Sequence, residues 1–245
     1  MENAQLIGLS RQIALRRQMD VVANNMANLN TAGYKNMDIL FEEYVMPVAR
    51  HKDFEMMDQP LSYTQDWATI HDFASGSITQ TGNPLDIAIQ GDGFFVISTP
   101  AGERYTRNGA FQLNERGELV TSEGYNVLAD GGFLTFNPGE TGITITEDGR
   151  VSSSAGDKGI LRVAEFENPQ SLRREGDTMF SGENPIFDNP SRFVQMAIER
   201  SNVSGVSEMT EMIRVTKAYE SISGMQQRQD ELRRTAIRKL GDTKA

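Results

Sequence analysis

Leu85-Asp86-Ile87-Ala88-Ile89-Gln90-Gly91-Asp92-Gly93-Phe94-Phe95-Val96-Ile97 decides how this 245-residue chain is read. Its first half alternates. Leu85, Ile87 and Ile89 share one side and Asp86, Ala88 and Gln90 the other, the two-residue period of a half-buried strand. Gly91-Asp92-Gly93 supplies a turn, and the four apolar residues after it form a second strand. The same grammar runs outward from Phe73 to Ile198. Ile143 and Ile145 lead through Asp148-Gly149 to Val151, a hairpin signal. Asn108-Gly109, Arg116-Gly117 and Glu123-Gly124 punctuate the stretch between, and Ile160 to Phe166 reads as one further strand. An all-β domain is expected over 76–199.

Further out, the pattern changes. Residues 36–75 are interrupted by Pro47 and Pro60 and carry the only tryptophan, Trp67. They read as an extended connector. The two ends read as helices. Leu15, Met19, Val22, Met26 and Leu29 step by four and three, a heptad-type stripe, and Leu6, Leu9 and Ile13 extend the apolar face upstream. Asn30 and Gly33 then stop the helix. About 28 residues of helix would be about 42 Å long. At the other end Met212, Val215, Tyr219 and Ile222 repeat the stripe, which turns polar at Gln226 and Gln229. Ser201 or Asn202 is the expected cap and Gly241 the end, with Gly205 and Gly224 as weak points. Some 40 residues there would reach roughly 60 Å. The fold class is α+β: N- and C-terminal helices, in 1–35 and 200–245, pair as a coiled-coil inner domain around an inserted all-β domain. Long helices with apolar stripes and no globular body to lie on find partners in other chains, so the pattern points to an assembly protein.

Composition narrows the function. The net charge is −10, and the chain has no cysteine and only two histidines, His51 and His71. Nucleic-acid binding is disfavoured, because neutralising phosphates needs basic surface. Disulfides, thiolate metal sites and cysteine nucleophiles are excluded. No apolar run is long enough to span a bilayer, so no membrane insertion is expected. The N-terminus lacks a basic segment followed by an apolar block, so no cleavable secretory signal is expected. The charge is uneven. Residues 1–35 carry +2 and 226–245 carry +3, leaving −15 between them.

No motif carries chemistry. Gly91-Asp92-Gly93 begins like a dinucleotide fingerprint but lacks the third glycine, and a strand follows where a helix is needed. Phosphate-loop and nucleophile-elbow patterns are missing. Asp86 and Asp92 flank a turn without the ligand density of a calcium loop. His51 beside Lys52 and Asp53, and His71 before Asp72, read as ordinary His–Asp neighbours. No catalytic residue, metal or cofactor is expected. More telling are the flexible thioethers of Met19, Met26, Met209, Met212 and Met225 on the terminal helices, which suit packing against non-identical neighbours. Asn24, Asn25, Asn28 and Asn30 crowd one helix end, where amides weaken an isolated helix and look for partners in other chains.

Four motifs carry a resemblance. Ala23-Asn24-Asn25-Met26-Ala27-Asn28-Leu29-Asn30-Thr31-Ala32-Gly33-Tyr34-Lys35 resembles the N-terminal signature of the bacterial flagellar rod and hook proteins. Thr81 to Phe95, then Tyr105-Thr106-Arg107-Asn108-Gly109-Ala110-Phe111, resemble the start of that family's β domain. Ser201-Asn202-Val203, Glu208 to Ile213 and Ala218-Tyr219-Glu220 resemble its C-terminal signature. The length suits a rod subunit, a proximal one better than a distal one, and the hook protein is much larger. The resemblance implies a non-enzymatic axial subunit of the basal-body rod that crosses the periplasm. Its implied partners are further copies of itself, other axial proteins and the flagellar type III export apparatus, which it would use without a cleaved signal. It further implies terminal segments that order only on assembly. The implied assembly interface comprises Leu15, Met19, Val22, Asn24, Asn25, Met26, Asn28, Leu29, Asn202, Val203, Met209, Met212, Val215, Tyr219 and Ile222. The reading of another class is a stalked periplasmic domain that binds or hydrolyses carbohydrate.

Overall fold

Leu15, Met19 and Val22 do lie in a helix, and so does the C-terminal stripe. The computed structural model describes residues 2–45, 62–176, 178–187 and 191–242. These form two compact units. One comprises residues 1–26, 37–70 and 204–245, and the other residues 27–36 and 71–203.

In the first unit α1 (Glu2–Ala27) and α2 (Gly205–Asp242) run antiparallel. Gly8 lies against the side chain of Gln226. The Gln18 amide donates to Glu211 Oε1 at 2.7 Å. Asn25 Nδ2 donates to Glu208 Oε2 at 3.3 Å. Position numbers thus rise along one helix as they fall along the other. Carried nearly two turns further, this register brings the start of α1 opposite Leu232. The last ten or so residues of α2, about 15 Å, run on past it. On α2 the inward face follows the heptad seam: Glu208 and Val215 are buried, with Met212, Tyr219 and Ile222 half-buried. On α1 the expected stripe is met only in part: Val22 is buried and Leu15, Met19 and Met26 are half-buried, while the remaining buried positions lie one residue before the stripe. Ala14, Val21, Val22 and Asn25 are buried, whereas Leu6, Leu9 and Ile13 are exposed. Small and polar residues take the contact there because Gly8 and Ala14 allow close approach. α2 also begins later than expected, because Asn202 is engaged elsewhere.

Residues 36–72 are more regular than a plain connector. β1 (Asn36–Val45) and β2 (Ser62–Asp72) pair into a two-stranded sheet. In β1 half-buried Ile39 and Phe41 alternate with exposed Leu40 and Glu42. Pro47, His51 and Pro60 lie outside the described residues.

The second unit is the β body. Its strands in chain order are β3 (Ile78–Gln80), β4 (Ile87–Gln90), β5 (Phe94–Thr99), β6 (Gly102–Thr106), β7 (Gln112–Leu113), β8 (Leu119–Val120) and β9 (Asn126–Ala129). There follow β10 (Gly132–Phe133), β11 (Thr144–Ile145), β12 (Arg150–Ser153), β13 (Gly156–Ile160) and β14 (Val163–Ala164). The last are β15 (Arg173–Glu175), β16 (Met179–Ser181), β17 (Arg192–Gln195) and β18 (Ala197–Glu199). Among the described residues the main sheet has nine strands, in the order β15-β16-β6-β5-β9-β8-β7, with β10 on β9 and β14 on β5. The expected Asp148-Gly149 hairpin joins β11 to β12, Ile145 facing Val151. Gly149 turns there at φ +81.

The expected strand from Ile160 to Phe166 is broken. β13 ends at Ile160, Leu161 bridges to Ala129, and the Arg162 amide bonds Leu128 O before β14 starts. β4 is buried on both faces, Ala88 included, and β17 pairs along its edge. Asp86 is buried too. Its carboxylate accepts from Thr81 Oγ1 at 2.6 Å and Asn83 Nδ2 at 2.9 Å, which shapes the turn before β4. The β core falls into two clusters, one around Phe95, Val127 and Val151 and one around Phe94, Tyr105, Phe166 and Phe180. β3 pairs with β18 and β4 with β17, so the strands that open and close the body lie together.

Candidate assembly site

The asparagine-rich end of α1 is used within the chain. Asn25 is 1% exposed, and its side chain reads both backbone groups of Met37. Nδ2 donates to the carbonyl at 2.8 Å, and Oδ1 accepts from the amide at 3.0 Å. Such a pairing satisfies the opening of β1 as another strand would. The same amide reaches Glu208. Burial pushes the Glu208 carboxyl up, and the Asn25 hydrogen bond opposes that shift. Further along the pair, Thr216 Oγ1 donates to Met19 Sδ at 3.8 Å.

The residues after α1 anchor to the β body. Thr31 bonds back to Asn28 through both its amide and its hydroxyl. Gly33 takes φ +68 and donates its N–H to Glu199 O at 2.8 Å. A Cβ there would collide with the backbone of Arg107 and Asn108. Tyr34 is buried, with the Arg174 guanidinium 4.7 Å from its ring centroid. Lys35 Nζ donates to Glu199 Oε1 and to Ala74 O, each at 2.8 Å. Glu199 Oε2 faces Arg107 Nη1 at 3.4 Å, and Glu199 Oε1 accepts from Gly76 N at 2.8 Å. The side chains of Lys35, Arg107 and Glu199 are each 1% exposed. Two cations thus share one carboxylate away from water. Burial lowers the pKa of both Lys35 and Arg107, and Glu199 counters it. The Phe94 ring, 4.9 Å from the Arg107 guanidinium, takes up some of the surplus positive charge.

Asn202 completes the clamp from the other end of the chain. Its Oδ1 accepts from Asn36 N at 2.7 Å, and its Nδ2 donates to Asp72 O at 2.8 Å and Ala74 O at 3.2 Å. Residues 33–36 and 199–202, the parts of the N- and C-terminal motifs that belong to this unit, are therefore fixed side by side.

The proposed interface residues divide between the two units. Leu15, Met19, Val22, Asn25, Met26, Met212, Val215, Tyr219 and Ile222 lie on the helix pair and are buried or half-buried. Asn24 and Met209 are on the same pair but exposed, Met209 at 57%. Asn28, Leu29, Asn202 and Val203 belong to the β body unit, with Val203 buried. Sequence reasoning missed Lys35, Arg107 and Glu199. The available signal was Glu199 itself, a charge in strand alternation with Ala197 at the end of the apolar run Met196-Ala197-Ile198. Among the described residues no group of three or more His, Asp or Glu side chains gathers to hold a metal. No described helix is long and apolar enough to cross a membrane.

Paired helical ends, and terminal motifs clamped onto a β body, define a structural assembly subunit. Residues 6–35 match the flagella basal body rod protein family and residues 88–153 the flagellar hook protein FlgE/F/G D1 domain. Residues 194–239 match the flagellar basal body rod FlgEFG protein C-terminal family. The chain belongs to the flagellar basal-body rod proteins, and it is a structural axial subunit of that family. Within it the chain falls with the FlgF members. It is 37% identical to flagellar basal-body rod protein FlgF of Caulobacter vibrioides, over 98% of this chain and 99% of the relative. The FlgF protein of Mesorhizobium japonicum is 32% identical over 98% and 99%. Flagellar basal-body rod protein FlgG of Agrobacterium fabrum is 33% identical over 89% and 92%.

Proposed function

We propose that this subunit polymerises through its terminal helices into the proximal rod and transmits torque across the periplasm, without catalysis. The carrying observation is the apolar surface left on the helix pair. Leu6, Leu9 and Ile13 on α1 are at least half exposed, as are Val206, Met209 and Ile213 on α2. Each set follows the three-and-four spacing of a seam, and each is left uncovered among the described residues. Apolar stripes of this kind mark protein-binding surface. A contact between unlike faces that does not close on itself builds a helical stack, which suits a rod. FlgF-named relatives spanning the whole chain support the proximal position. On this reading the subunit reaches the rod through the flagellar type III export apparatus, and its partners are its own copies and the neighbouring axial proteins.

Electron microscopy of basal bodies from an in-frame deletion strain tests the proposal. The expected result is a rod that is missing or truncated at its proximal end. A complete proximal rod lacking only its distal part would favour a distal position. An intact rod and hook would overturn the axial role.

A further inference from the structure

His71 is the penultimate residue of β2 and lies in the β body unit, and no part of the assembly role uses it. The imidazole is buried, and its Nδ1 has no hydrogen-bond partner. Aromatic rings pack on it. Phe180 meets it edge-on with centroids 5.5 Å apart at 84°, and Phe73 lies at 5.9 Å. Its backbone is held by one side chain: Gln170 Nε2 donates to His71 O at 2.7 Å, and Gln170 Oε1 accepts from His71 N at 3.4 Å. Gln170 sits in the short 3₁₀ turn Pro169–Ser171, which Asn168 caps. β15 contributes a charge of the wrong sign, the Arg174 guanidinium, stacked on Tyr34. The 3₁₀ turn and β16 add no charged side chain at the ring: Gln170 and Phe180 are neutral. On β2 itself the nearest carboxylate is Asp72. Adjacent strand residues point to opposite faces, and Asp72 is occupied by the Ala74 amide at 3.0 Å.

We propose that His71 is an acid-sensitive latch: the folded body accepts only the neutral imidazole, and protonation opens the packing that fixes the end of β2 against Gln170, Phe73 and Phe180. A second N–H on the ring would find no acceptor, and a second positive charge would face Arg174 in an apolar pocket. Burial first, and Arg174 second, hold the imidazole down at about 4 against an ordinary value of 6.5. An opened segment has the ordinary value, so it takes up the proton first, and closure weakens as pH falls from 6.5 towards 4. Between pH 7.5 and pH 5 the opening equilibrium should rise about 30-fold.

Hydrogen exchange of the dilute full chain, corrected for intrinsic rates, reads this directly at amides 70–74 and 170–172. The wild type should show the pH-dependent rise. His71→Phe keeps the aromatic packing without the titrating group and should be flat, and Arg174→Gln should show a smaller rise. The same response in His71→Phe and wild type would overturn the latch. Should His71→Phe fail to fold, the wild-type histidine proton resonances decide alone, since the chain has only two histidines. One resonance still neutral at pH 5 supports the latch, and two resonances titrating near 6.5 overturn it.

Discussion

At the scale of single residues, the buried cluster of Lys35, Arg107 and Glu199 makes an ordered prediction. Glu199→Gln leaves two cations in an apolar interior without a counter-charge and should cost about 3–5 kcal/mol. Lys35→Met leaves the Arg107–Glu199 pair balanced and should cost less. Denaturant unfolding followed at the β body tests the order, and equal losses would mean that charge balance does not matter there. Glu208 behaves in the opposite way. Its pKa is raised by burial, so the carboxylate is the form that the fold disfavours. The sign follows from that: the helix pair gains stability as pH falls through the folded-state value and loses it as pH rises. Glu208→Gln keeps an acceptor for Asn25 and should flatten this dependence in a helical circular-dichroism melt. It should also raise the melting temperature at neutral pH. None of these pairings was legible in the sequence. Lys35 and Glu199 lie far apart along the chain, and spacing carries no information about which buried charges meet. The motif resemblance marked Lys35, Arg107 and Asn202 as notable without giving their work.

At the scale of elements, periodicity is informative where one residue type defines the contact and misleading where several share it. The α2 stripe runs through Met212, Val215, Tyr219 and Ile222, all large, so its inward face can be read directly. The inward face of α1 uses Gly8, Ala14 and Asn25, which carry little apolar weight, and the eye slides to their neighbours Leu15 and Met26. The β1–β2 ribbon is hidden for a related reason: two prolines between the strands outweigh the alternation within them. α2 also separates packing from surface. Val215 is 1% exposed, so Val215→Asp buries an unpaired charge and should cost roughly 4 kcal/mol, seen as loss of helical signal. Met209 is more than half exposed, so Met209→Lys should change stability by no more than about 0.5 kcal/mol while abolishing swimming. Normal motility in the Met209 variant would remove that stripe from the interface.

At the scale of the whole molecule, the α+β layout was legible because two periods, near two in the middle and near three and a half at the ends, divide the chain cleanly. The site was legible only as a list of positions. Geometry divides that list into residues that hold the monomer together and residues that remain available. The basic tail, which that list leaves out, is available as well. Leu232, Ile237 and Leu240 are each at least 65% exposed, on the stretch of α2 that runs past α1. Arg233, Arg234, Arg238 and Lys239 surround them. A chain ending at Glu231 should keep the helix pair and the β body, as judged by melting, and yet fail to restore motility to a deletion strain.

That same overhang gives the helix pair a direction. Among the described residues one end is a single helix and the other is where the helix pair meets the ribbon, so the two ends cannot substitute for each other. If the subunit polymerises as proposed, a stack of such units would have a growing tip and a seated base, like a threaded rod that accepts a nut from one side. A subunit shortened at Glu231 would still seat on the units beneath it and offer nothing to the next. Mixed with intact chains it should act as a terminator, shortening the assembly in proportion to its share.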